Sequence, residues 1–155
     1  MQVFIYNQQR DLTLNHEKKK IASLIELIVQ RENKIYDEVS VHFVSARAMK
    51  RYHLEFFGDA SLTDCISLPL DTDTTAPHTI KILGDIIVCP KAAICYAQKH
   101  KKNPWTETTL YIIHATLHLL GYDDVDSSSR ALMRRKERTY LKLLEKQGLV
   151  LSVKV

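Results

Sequence analysis

Polar and apolar residues alternate through Gln2–Asn7 (QVFIYN), the period of two expected of a strand with one buried face. From about Glu17 to Glu32 the period lengthens. Ile21, Leu24, Ile25 and Ile28 recur at spacings of three and four, while Lys18, Lys19 and Lys20 are left for solvent, which predicts an amphipathic helix. Val39–Val44 (VSVHFV) alternates again as a second strand, and Ser45 is placed to cap a helix over Ala46–Phe56. Gly58-Asp59 breaks that helix, and a loop leads to Thr63. Asp64–Leu70 (DCISLPL) reads as a short strand, and Pro69, which has no N–H to donate, bars it from the middle of a sheet. The polar, aperiodic segment Asp71–His78 predicts an exposed loop. TIKILGDIIVCP carries apolar residues on both sides of Gly84-Asp85, a pair that could form a hairpin turn. Helices follow over about Lys91–Lys101, Thr106–Leu120 and Ser127–Lys146.

Strands first, helices between them and a helical second half predict an α/β fold. The expectation is a single layered domain over residues 1–155, with a mixed sheet of about four strands covered by helices. The early strand–helix–strand order favours a parallel pair.

Composition narrows the setting. A chain of 155 residues can bury a core without disulfides, and 45% hydrophobic with 26% charged residues is an ordinary globular balance. The net charge of +4 permits a polyanionic partner without demanding one. Cys65, Cys89 and Cys95 are odd in number and lack C-x-x-C spacing, which argues against a disulfide framework or a zinc ribbon. Set among apolar neighbours, they read as small hydrophobes. No run approaches the roughly eighteen apolar residues of a membrane span, and MQVFIYNQQR lacks the basic start of a signal peptide. A cytoplasmic protein without membrane association is expected.

The candidate chemistry sits in HATLHLLGYDD, residues 114–124. His114 and His118 are four apart on a predicted helix, so both imidazoles can reach one ion, with zinc–nitrogen bonds of about 2.0–2.1 Å. Two histidines at this spacing are by themselves more often partly buried side chains than ligands. Gly121 and Asp124 change that balance. Gly121 suits the turn after the helix, and Asp124 can fold back as a third ligand. Thr106 is read as the cap at the start of this helix. Three protein ligands with one open position is the arrangement of a catalytic zinc.

The spacing echoes metzincin peptidases, but Ala115 stands where their glutamate base would be, and a placed base contributes about 10²–10⁴-fold. A metal still lowers the pKa of water toward roughly 7 and polarises an oxygen, equipment that suits phosphodiester cleavage better.

HATLHLLGYDD resembles the signature of the YbeY endoribonucleases, H-G-x-L-H-L-x-G-Y-D-H. TDCISLP (Thr63–Pro69) is similar to that family's T-D-V-L-S-F-P, and LGDIIVC (Leu83–Cys89) to its L-G-D-I-x-I-x. Order and separations agree across roughly Val41 to Leu144. The resemblance implies a cytoplasmic, single-strand-specific endoribonuclease with one Zn²⁺ per chain, acting in 16S rRNA 3′-end maturation and ribosome quality control. Its implied partners are single-stranded RNA, ribosomal RNA or a ribosomal subunit; DNA is not expected. His114 and His118 carry over as ligands, with His114 also assigned to catalysis, and Asp124 stands where the family has a third histidine. Phe57 stands where the family usually places an arginine that would hold a phosphate; Arg47, Arg51 and Lys81 are candidates to substitute.

Other residues keep two readings. Asp85 either orients a ligand histidine or belongs to a turn. Thr63 and Asp64 read as a strand cap or turn, and only the resemblance puts them near a cleft. Arg130, Arg134, Arg135, Lys136 and Arg138, like Lys99, Lys101 and Lys102, either track RNA phosphates or form a solvated face. The rival functions are a metal-dependent peptidase or other hydrolase, which Ala115 argues against, and a ribosome-associated binding protein whose metal is structural.

Overall fold

The computed structural model describes residues 1–70 and 76–154. Four strands, β1 (Gln2–Gln8), β2 (Glu38–Val44), β3 (Cys65–Pro69) and β4 (Ile82–Val88), form one sheet in the order β1-β2-β4-β3. β1–β2 and β2–β4 are parallel, and β3 runs antiparallel to β4 at the edge, so the sheet is mixed. Pro69 therefore sits in an edge strand, where its missing N–H leaves no ladder bond broken.

The helices are α1 (Lys18–Arg31), α2 (Ala46–Phe57), α3 (Pro90–His100), α4 (Pro104–Leu119) and α5 (Ser127–Lys146), with a short 3₁₀ turn at Asn15–Glu17 before α1. Ile21, Leu24, Ile25 and Ile28 of α1 are fully buried, as their spacing requires, and they pack with Ile112, Ile113 and Leu117 of α4 and Leu144 of α5. That cluster rests on Val41, Phe43, Ile86 and Val88 of the sheet. The opposite face carries a smaller cluster in which Met49 of α2 meets Val44, Ile66 and Ile87. Helices thus lie on both faces, as in an α/β layer fold.

Three local expectations are corrected. Gly84-Asp85 is no hairpin turn: both residues lie inside β4. Between Glu38↔Ile82 and Ser40↔Asp85, β2 advances two residues and β4 three, so β4 carries a bulge. The extra residue lets Leu83 and Ile86 both face the main core. Gly84 has φ +141°, and a Cβ there would lie 2.4 Å from the Leu68 carbonyl oxygen, which explains glycine at this point. The start of α4 is capped by Asn103, whose side chain accepts from the Trp105 N–H at 2.8 Å, and not by Thr106; Pro104 occupies the first turn, where its missing N–H costs nothing. Cys89 is buried, but Cys95 is exposed. Of the loop expected at Asp71–His78, residues 71–75 lie outside the described residues. The remainder is a bend and turn in which His78 has positive φ.

Candidate metal centre

His114 and His118 lie on the last turns of α4, each about a quarter exposed. The helix then ends in a Schellman turn: Gly121, at φ +101°, donates its N–H to the His118 carbonyl at 3.0 Å, and Tyr122 donates to the Leu117 carbonyl at 3.1 Å. This reversal brings the Tyr122 carbonyl oxygen to 2.8 Å from His118 Nδ1 and returns Asp124 toward the helix.

The donor atoms converge. His114 Nε2 and His118 Nε2 are 3.0 Å apart, and Asp124 Oδ2 is 3.5 Å from each. Ligands around a tetrahedral zinc stand about 3.3 Å from one another, given bonds of about 2.0–2.1 Å. Among the described residues, His114, His118 and Asp124 form the group that could hold a metal ion.

The hydrogen bonds explain why that group suits a cation. A carbonyl oxygen only accepts, so His118 Nδ1 must be the protonated nitrogen. The carboxylate of Glu137, on α5, likewise accepts from His114 Nδ1 at 2.5 Å. In the neutral rings both Nε2 lone pairs then face each other at 3.0 Å beside a carboxylate. A proton or a metal ion between them relieves that repulsion. Burial pulls the His114 pKa down, but the Glu137 hydrogen bond and the charges of Glu137, Asp64 and Asp124 outweigh it and hold it above the usual histidine value.

Glu137 was not foreseen in the sequence. It follows Met133 by four positions and precedes Tyr140 by three and Leu144 by seven, so it occupies the core-facing stripe of α5. A carboxylate in such a stripe was the available signal. Glu32, just past α1, was equally hidden. It accepts from the Tyr122 hydroxyl at 2.6 Å, from Lys136 Nζ at 2.7 Å and from the Tyr140 hydroxyl, tying the turn after α4 to α1 and α5. Burial raises the Glu32 carboxyl, but these donors and the Lys136 charge outweigh it and hold it below the usual range.

A cleft of about 530 Å³ opens beside the donors. His114, His118, Thr63, Ser67, His53 and Phe57 are among the residues that line it. Ser67 Oγ donates to the Ala115 carbonyl at 3.0 Å, joining β3 to α4. Ala115 is itself fully buried, so position 115 presents nothing to the cleft. Cys65 also lines it, but burial and then the Asp64 carboxylate push its thiol well up, so it is a neutral wall. Asp64 lines a smaller hollow on another side of His114, together with Glu137 and Tyr111. A further hollow holds His114, Asp124, Arg130 and Arg134.

The remaining candidates lie elsewhere. Asp85 points away from the α4 face, since its neighbour Ile86 faces the main core; it sits 3.7 Å from His42 Nε2, so it orients neither His114 nor His118. Arg47 and Arg51 are exposed on α2, with Arg51 over the Tyr52 ring, and neither lines the cleft. Lys81 precedes β4, its N–H bonded to Asp37. Lys136 is committed to Glu32.

Comparison with known proteins identifies the family to which the chain belongs. The family model of endoribonuclease YbeY matches residues 4–145. A YbeY endoribonuclease of Protochlamydia amoebophila is 41% identical over 142 residues, covering 90% of this chain and 92% of that protein. One from Chlamydia abortus is 35% identical over 155 residues, covering 98% and 96%. The solution structure of a Thermotoga maritima protein, 23% identical, superposes with a TM-score of 0.63 over 95% of this chain and 91% of the other, a likeness of fold. The model match and the two relatives span nearly the whole length, and the chain belongs to the YbeY endoribonuclease family.

Proposed function

We propose that this protein is a zinc-dependent endoribonuclease that cuts single-stranded RNA, with His114, His118 and Asp124 holding one Zn²⁺ per chain. The observation that carries the reading is the convergence of three donor atoms at the edge of an open cleft, in a chain of an endoribonuclease family. Three protein ligands would leave one position free, which favours a catalytic over a purely structural metal. When bound, zinc supplies Lewis acidity toward water and a phosphoryl oxygen.

The chain's own groups do the rest. Glu137 and the Tyr122 carbonyl hold the two imidazoles with each Nε2 turned toward the other ring and Asp124, where they would hold the metal, and such partners raise ligand basicity. Arg130 and Arg134 border the hollow shared by His114 and Asp124, where a phosphate would find cations. Ala115 offers no base of the peptidase kind, which argues against proteolysis.

The biological setting we propose is the cytoplasm, in 16S rRNA 3′-end maturation and ribosome quality control, with ribosomal RNA or a ribosomal subunit as partner. No described helix is long and apolar enough to cross a membrane. The deciding experiment combines metal analysis of the purified protein with cleavage assays on single-stranded RNA, duplex RNA and casein. One zinc per chain with cutting of single-stranded RNA supports the reading. Casein cleavage would favour a peptidase, and a zinc-loaded protein that binds RNA without cutting it would favour a binding protein.

A further inference from the structure

We propose that the ring of Phe57 is a stacking platform for an unpaired nucleobase beside the cleaved phosphodiester. The inference rests on the reading of the site as an RNA-cleaving centre.

Phe57 is the last residue of α2 and is 60% exposed, yet it lines the same cleft as His114 and His118. Gly58, left-handed at φ +70°, ends the helix at once, so the chain turns away from the ring without covering it. His53, one turn earlier, stands 5.6 Å from the Phe57 ring at an angle of 57°. That neighbour is itself held. His53 Nδ1 donates to the Ser61 carbonyl at 2.9 Å, and the Ser61 N–H donates to Asp59 Oδ1 at 2.8 Å. The cleft thus has an aromatic wall of two rings, braced from behind.

The distribution of charge says which part of a nucleotide belongs there. No lysine or arginine lines the Phe57 side of the cleft among the described residues. Arginines 130 and 134 lie instead in the hollow that shares His114 with the cleft. A strand crossing the donor atoms would set its phosphates toward the arginines and its base toward Phe57. A base can reach such a ring only when it is free of its own helix, and every base offers a π-face, so the contact selects single strands without selecting sequence.

The test walks one abasic residue through a short single-stranded RNA and measures kcat/KM with zinc-loaded wild type, Phe57→Leu and Phe57→Tyr. Stacking on one base predicts that Phe57→Leu loses roughly 5- to 150-fold on the intact strand. It also predicts that Phe57→Tyr restores most of the loss. In wild type one abasic position near the cut should cost a similar factor, and in Phe57→Leu the same position should cost little more, because the partner is already gone. Zinc content and thermal midpoint of each variant report any general damage. Equal kcat/KM for Phe57→Leu and wild type would overturn the inference, as would additive losses, while leaving the endoribonuclease reading intact. A zinc-loaded wild type that cuts no single-stranded RNA would overturn both.

Discussion

The Tyr122 hydroxyl donates to Glu32 Oε2 at 2.6 Å, across 90 residues of sequence. The same tyrosine offers its carbonyl to His118, so an acid at the end of α1 braces a histidine at the end of α4. Tyr122→Phe removes one hydrogen bond to a charged group and should cost about 1.5 kcal/mol in urea unfolding. The pH dependence has a definite sign. Glu32 is held below its usual carboxyl value when folded, so its contribution is fully present above about pH 4.5 and is lost as pH falls through the depressed folded value. Unfolding curves of wild type and Glu32→Gln should converge toward acid; a gap that stays constant from neutral pH to pH 3 would refute this.

Asp124 tests the ligand set. With alanine there, two protein ligands remain, and zinc affinity should fall at least as far as the roughly 10–100-fold seen when outer partners are removed. Asp124→His should keep zinc. It also raises the net charge of the site by one unit, so the alkaline-going limb of the rate profile should move to lower pH. Competition against a chromogenic chelator reads the affinities, and full zinc in Asp124→Ala would move the third bond to Asp123, Asp126 or water.

Glu137 bonds His114 at Nδ1, leaving Nε2 to His118 and Asp124, and so orients the ring. Glu137→Gln keeps the shape and can still accept from Nδ1, while losing the charge that raises ligand basicity. Zinc should bind about 10–100-fold more weakly, with thermal stability of the metal-free protein little changed. Unaltered affinity would reduce Glu137 to a packing residue.

Arg134 should act on phosphates. Log–log plots of single-stranded RNA affinity against salt fall with a slope near −0.7 per phosphate contacted, so Arg134→Gln should flatten the slope by about 0.7. A slope equal to that of wild type would take Arg134 out of the RNA path.

Local order was legible in the residues themselves. Periods of two and 3.6 placed every element except β4 to within a residue or two, because each period is set by backbone geometry that neighbouring side chains share. The pairing of His114 with His118 follows from one helical turn, and Gly121 with Asp124 from the reversal that ends it. What the tertiary structure decided lies between segments far apart in sequence. Gly84-Asp85 reads as a possible hairpin turn until β2 and β3 flank it; then the Leu68 carbonyl beside Gly84 and the bulge against β2 exclude a turn. The face taken by Asp85 depends on that bulge, and it sends the carboxylate to His42, away from His114 and His118. Glu137 and Glu32 meet His114 and Tyr122 only because α5 packs across α4 and the end of α1. Phe57 becomes informative only once the fold sets its exposed ring in the cleft beside His114 and His118. Spacing along one helix fixes distances within that helix, while distances between elements depend on how their buried faces pack, and packing is a property of the whole chain.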